Sequence, residues 1–121
     1  MTGRGILIVE DEVLISMCLE DVLHDWGYDV VGISPTLDDA FEKLSSTSFS
    51  AAVLDINLGR DLVWPFARAL MGRGIGFAFL SSDCERDDFP ADLAGAHRMC
   101  KPFEEERLQA VISSLVLPRC A

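Results

Sequence analysis

Three short apolar runs constrain this chain most: Ile6-Leu7-Ile8-Val9, Ala51-Ala52-Val53-Leu54 and Phe77-Ala78-Phe79-Leu80, each stopping at a polar residue. An apolar run of strand length without alternation predicts a strand covered on both faces, as in a parallel sheet between helices. Helical patterns lie between them. Ile15, Leu19, Val22 and Trp26, flanked by Leu14, Cys18 and Leu23, predict a helix that stops at Gly27. Tyr28 to Ile33 reads as a second strand, and Thr36 as the N-cap of a helix buried through Leu37, Ala40, Phe41 and Leu44. Ser45 to Ser50 reads as a loop, and Asn57 to Asp61 as a turn-rich loop. Pro65 suits the first turn of a third helix, which Phe66, Ala69 and Leu70 carry to Gly72. The polar stretch from Cys84 to Gly95 contains Pro90 and predicts only a short or irregular fourth helix, about Ala91 to Ala94. Arg98-Met99-Cys100 is a weak fifth strand, and the last helix runs from about Phe103 to Leu117, with Leu108, Val111, Ile112 and Leu115 inward.

Strands alternating with helices predict βαβ units, a parallel sheet and right-handed crossovers. The 121 residues make one expected domain, 1–121, with a folded core over about 4–118 and no output domain. Ten Lys plus Arg against twenty Asp plus Glu give a formal charge of −10. That balance argues against nucleic-acid or anionic-membrane binding. No apolar run approaches the ~20 residues of a membrane span, and no signal peptide is read, so a cytoplasmic location is expected. The cysteines at 18, 84, 100 and 120 form no C-x-x-C pair and are expected as reduced thiols, with Cys100 packed beneath the strand ends as a small hydrophobe. Gly72, Gly74 and Gly76 precede a strand rather than follow one, so they read as a helix stop and turn rather than a phosphate loop. Trp26 and Trp64 read as packing residues, and His24 as solvated.

Ligands of open parallel sheets sit beyond the carboxyl ends of the strands. There the chain delivers Glu10 and Asp11 from strand one, Asp55 from strand three, Ser81 from strand four and Lys101 from strand five. Grouped carboxylates repel and call for a cation, and hard oxygen ligands select a hard divalent ion such as Mg²⁺. A carboxylate can also act as a nucleophile that forms an aspartyl-phosphate. Mg²⁺, Lys101 and the Ser81 hydroxyl would neutralise the phosphoryl oxygens, and Asp55 is the natural nucleophile because it stands alone between the acidic pair and the hydroxyl. Alone, the acidic triplet Glu10-Asp11-Glu12 would be only a dipole-favoured first turn; the company of Asp55 and Lys101 gives it weight.

The runs Ile6 to Glu12 and Val53-Leu54-Asp55-Ile56-Asn57-Leu58, Ser81 after an apolar strand, and Lys101-Pro102-Phe103 resemble the receiver domain of bacterial two-component response regulators over nearly the whole chain. The resemblance implies a flavodoxin-like (CheY-like) α/β fold: a three-layer sandwich around a five-stranded parallel sheet in the order 2-1-3-4-5. It implies phosphorylation of Asp55 by a sensor histidine kinase or histidine phosphotransferase. Asp11, Asp55 and the backbone carbonyl of Asn57 would ligate Mg²⁺, with Mn²⁺ as a substitute, and Glu10 would act through a bound water. Ser81 and Lys101 would hold the phosphoryl oxygens. Asn57 and Asp83 would flank the group and set its lifetime, which is expected to be short. Ser81 and Arg98 occupy the switch region. Receivers commonly dock partners through the first helix and the last strand–loop–helix, which points to Leu14, Cys18, Pro102 and Phe103.

The stretches around Asp55 to Gly59 and Arg73 to Phe79 are also similar to a receiver subfamily of alphaproteobacterial stress signalling, with a modified fourth strand and helix. Departures from the family pattern are Glu10 for the commoner Asp, Ser81 for Thr, Ser82 and Asp83 for the subfamily's Gly and aromatic, and Arg98 for the switch aromatic. The expected function is a stand-alone receiver that signals through a downstream protein or serves as a phosphate shuttle or sink, and is no multiple-turnover enzyme. The alternatives are a pseudo-receiver that binds partners without phosphorylation, and a Mg²⁺-dependent phosphatase-like enzyme on a related fold, which would want an Asp where Asn57 stands.

Overall fold

The computed structural model describes residues 5–83 and 88–116. Along the chain the elements are β1 (Gly5–Val9), α1 (Val13–Asp25), β2 (Asp29–Ser34), α2 (Leu37–Ser46), β3 (Ala51–Asp55), β4 (Asn57–Leu58), β5 (Asp61–Leu62), α3 (Trp64–Gly72), β6 (Gly76–Ser81), β7 (His97–Cys100) and α4 (Glu105–Val116). The main sheet runs β2-β1-β3-β6-β7 with every pair parallel, which is the expected 2-1-3-4-5 order when its five strands alone are counted. The expected fourth helix is reduced to a 3₁₀ turn at Ala91–Leu93. The first residues of that polar stretch, from Cys84 on, lie outside the described residues.

Strand alternation sorts the apolar runs into two cores. Leu7, Val9, Ala52, Leu54, Phe77 and Phe79 pack with α2 and α3 on one face, while Ile6, Ile8, Ala51, Val53, Ala78 and Leu80 pack with α1 and α4 on the other. Both faces of β1 and β3 are therefore dry, which explains runs without polar alternation. The tryptophans pack as expected: Trp64 is buried in the first core, and half-buried Trp26 lies against the second.

Local signals set the element ends. Thr36 caps α2, its Oγ1 accepting from Asp39 N–H at 3.1 Å. Gly27 ends α1 at φ +87°, with Tyr28 N–H donating to the Leu23 carbonyl and Gly27 N–H to that of His24, a Schellman closure that a glycine accommodates without strain. Pro65 stands in the first turn of α3. The loop expected at Asn57 to Asp61 is instead a small antiparallel hairpin of β4 and β5. Two-residue strands leave no periodicity to read.

The thin coverage beside β7 is filled by aromatic rings. Phe89 lies 4.9 Å from Trp64 and 5.1 Å from Phe79, and the Arg98 guanidinium stacks over it at 4.3 Å. On β7, Met99 points into the core, and alternation turns Cys100 outward. Cys100 is disulfide-bonded rather than a reduced thiol, and it is exposed rather than buried as expected, since among the described residues the connection from β6 to β7 supplies only the 3₁₀ turn at Ala91–Leu93. Cys18 is a free, exposed thiol.

Candidate functional site

The ends of β1, β3 and β7 meet at one rim, and Lys101 is its hub. The Lys101 Nζ lies 3.1 Å from Glu10 Oε1, 3.3 Å from Asp55 Oδ2 and 2.7 Å from Glu12 Oε1. It also donates to Glu10 Oε2 at 3.3 Å. Glu10 and Asp55 are buried and the Lys101 side chain is 9% exposed, whereas that of Glu12 is 59% exposed. Lys101 reaches this position because its N–H donates to the Ser81 carbonyl at 2.8 Å, extending the β6–β7 pairing by one step, and a cis bond to Pro102 follows.

Burial and charge act on these groups in opposite senses. Asp55 is pushed up to about 7, by burial first, then by the facing Glu10 carboxylate, with Lys101 holding it down only in part. For Lys101 burial favours the neutral form, but its hydrogen bonds to Glu12 and Glu10 and the charge of Asp55 outweigh that and raise its pKa. The ammonium therefore stays charged throughout the neutral range.

Asp11 is exposed beside the buried pair, and its Oδ2 accepts from Gly59 N–H at 3.0 Å. The β4–β5 turn presents this amide, with Gly59 at φ +61°, a conformation that favours glycine. Glu10, Asp11 and Asp55 each offer a carboxylate oxygen within 4.8 Å of the others, and they are the one such trio among the described residues. Glu10 Oε1 is buried and accepts no well-directed hydrogen bond; its one close cation is the Lys101 ammonium at 3.1 Å. A carboxylate trio whose buried oxygen keeps a lone pair without a directed donor fits a hard divalent cation, which relieves the repulsion among the acids.

The remaining predicted residues are distributed unevenly. Ser81 is buried at the end of β6, where its Oγ donates to the Asp83 carbonyl and accepts from Asp83 N–H, both at 3.0 Å. The hydroxyl is thus engaged with its own loop rather than turned to Asp55. Asn57 and Asp83 are both exposed at the rim. Arg98 lies away from the carboxylates, on Phe89, and its carbonyl accepts from Arg107 Nη2 at 3.2 Å. Leu14, Cys18 and Pro102 are exposed, with Val13 and Met17 exposed beside them on α1, while Phe103 is half-buried against the core. His24 is exposed, as expected. Two residues outside the expected set also take part, Glu12 through Lys101 and Gly59 through Asp11. The acidic triplet held a signal for the first; the second depends on a hairpin too short to read.

Solved structures match this fold closely. The solution structure of SdrG from Sphingomonas melonis Fr1 is 33% identical, with a TM-score of 0.82, over 97% of this chain and 100% of that one. The BeF3-activated conformation of SdrG is 33% identical, with a TM-score of 0.79, over 94% and 97% of the two chains. The REC domain of the response regulator PhyR from Erythrobacter litoralis is 25% identical, with a TM-score of 0.79, over 98% and 96%. No family model and no curated protein matches the chain. With the strand order, the acidic rim and the hub lysine all in place, the chain belongs to the response regulator receiver domains, and its neighbours include SdrG and PhyR of alphaproteobacterial stress signalling.

Proposed function

We propose that this receiver accepts one phosphoryl group on Asp55 from a histidine kinase or histidine phosphotransferase, with Mg²⁺ held by Asp11, Asp55 and the Asn57 carbonyl and Glu10 acting through a bound water. The observation that carries the reading is the convergence of buried Asp55 and Glu10 on Lys101, with Asp11 completing a carboxylate trio. An oxygen of Asp55 attacks phosphorus; the new O–P bond forms as the donor's N–P bond breaks, and the electron pair leaves with the imidazole. From acetyl phosphate the same attack expels acetate. Lys101, already 3.3 Å from Asp55 Oδ2, passes its donors to the phosphoryl oxygens. Ser81 reaches the same oxygens by giving up its bond to the Asp83 carbonyl. Bound Mg²⁺ supplies further neutralisation of charge on the transferred group.

Exposed Asn57 and Asp83 leave the phosphoryl group open to water, which supports a short-lived phospho-form. The exposed apolar residues Leu14 and Met17, with Cys18 and Pro102, support docking of the donor on the N-terminal half of α1 and the loop after β7. Output passes to a downstream protein, or the domain serves as a phosphate shuttle or sink in the cytoplasm. No helix among the described residues is long and apolar enough to cross a membrane.

Intact-mass measurement with acetyl phosphate and Mg²⁺ tests the reading. The expected result is a gain of one phosphoryl group in the wild type and none in Asp55→Asn. No gain in the wild type would leave a pseudo-receiver, and continuous turnover of a small phosphoester would leave a phosphatase-like enzyme.

A further inference from the structure

The carboxylates that share Lys101 differ in ways that separate their roles. Glu12 makes the shortest contact, 2.7 Å, against 3.1 Å for Glu10 and 3.3 Å for Asp55. Glu12 is also the N-cap residue of α1, yet its side chain makes no capping hydrogen bond. Its backbone N–H is anchored by Glu10 Oε2 at 3.0 Å, and its carboxylate reaches across to the lysine instead. Its side chain is 59% exposed, whereas those of Glu10 and Asp55 are 1% and 7% exposed. Of the three it alone can swing into water without leaving a charge buried and unpaired. It also lies outside the carboxylate trio suited to a cation. A cation there draws on Glu10 and Asp55 and leaves Glu12 as the carboxylate still facing Lys101.

We infer that Glu12 is a positioning residue that detains the Lys101 ammonium in the resting protein, so that phosphoryl uptake requires the lysine to exchange Glu12 for the phosphoryl oxygens. The inference rests on Asp55 as the phospho-acceptor. An ammonium has three N–H donors, and among the described residues its close side-chain partners in the resting protein are carboxylates. An arriving phosphoryl group must displace one, and the exposed partner is the one water can take over. A half-exposed ion pair is weak, so its release affects uptake by about two- to fivefold rather than by orders of magnitude.

Two variants separate reach from charge. Glu12→Gln keeps the length and removes the charge; Glu12→Asp keeps the charge and loses a methylene of reach. In metal-free, unphosphorylated protein, NMR of the Lys101 ammonium should show water exchange slowed in the wild type and faster in both variants. With acetyl phosphate and saturating Mg²⁺, both variants should take up phosphoryl about two- to fivefold faster than the wild type. The inference is overturned if Lys101 exchange is unchanged, if uptake is unchanged or slower in either variant, or if Glu12→Gln is faster while Glu12→Asp matches the wild type. The last pattern would mean simple repulsion of the anionic donor. A wild type that takes up no phosphoryl group sinks the acceptor reading itself, whereas a normal wild type with indifferent variants sinks only the part given to Glu12.

Discussion

The two sides of the sheet's carboxyl edge are built on different terms. On the β1–β3 side, Glu10 and Asp55 are buried and tied to Lys101, and the residues follow the receiver pattern apart from Glu10, whose longer arm still reaches the lysine. On the β6–β7 side, Ser81 is folded back onto Asp83, and Arg98 lies on Phe89 where the family carries an aromatic switch. The first side is electrostatic and places charge around one acidic oxygen. The second is a matter of packing, a guanidinium laid on a ring that packs against both Trp64 and Phe79. On the proposed reading, phosphoryl chemistry belongs to the first side and its transmission to the second, where the side chains depart from the family pattern.

The largest test of that contrast is Lys101→Ala. Removing the hub should slow phosphoryl uptake from acetyl phosphate by about 100-fold or more, as when a donor to a developing anion is lost. Uptake within tenfold of the wild type would mean the lysine is a spectator.

Next in size is a pH effect confined to the acidic side. Asp55 stands at about 7 in the fold against 3.8 in an unfolded chain. The native state therefore holds a proton that the unfolded chain has released, and the stability linked to Asp55 is full below about pH 4 and lost as pH rises through 7. In metal-free protein, denaturant melts should show the wild type losing on the order of 2 kcal/mol relative to Asp55→Asn between pH 5 and pH 8. Excess Mg²⁺ should flatten that difference. A metal-free difference that does not change with pH would contradict the buried, repelled state of Asp55.

Ser81→Ala sits on the boundary between the sides. It should slow uptake by about tenfold, since one hydroxyl donor is lost while Lys101 remains. An effect as large as that of Lys101→Ala would erase the distinction between a preset lysine and a hydroxyl that must first leave Asp83.

The smallest effect belongs to the packing side. Arg98→Ala should cost about 0.5–1 kcal/mol in a thermal or denaturant melt through the lost stacking on Phe89. It should leave uptake rates as in the wild type while altering the NMR shifts of Phe89 and Trp64. A slowed uptake would join the sides that the structure separates.

Legibility in the sequence follows the same division. The strands could be read because burial on both faces removes polar residues from Ile6 to Val9 and from Ala51 to Leu54. Thr36, Gly27 and Pro65 marked helix ends because capping is local chemistry. Asp55, Glu10 and Lys101 could be placed because a parallel sheet gathers its strand ends. Two other contacts between residues distant in sequence were not legible. The reach of Glu12 to Lys101 spans 89 residues, and the Asp11–Gly59 bond spans 48. The exposure of Cys100 depended on how little of β7 a helix covers. The stacking of Arg98 on Phe89 depended on how Phe89, outside any helix or strand, packs on Trp64 and Phe79.

The most direct measurement locates the phosphoryl group itself. Wild-type protein treated with acetyl phosphate is trapped by borohydride reduction of the acyl phosphate and mapped by tandem mass spectrometry, with Mg²⁺ and with EDTA. Reduction is expected at Asp55 in Mg²⁺ and is expected to be lost in EDTA. Label on another carboxylate, or equal label at Asp55 in EDTA, would contradict it.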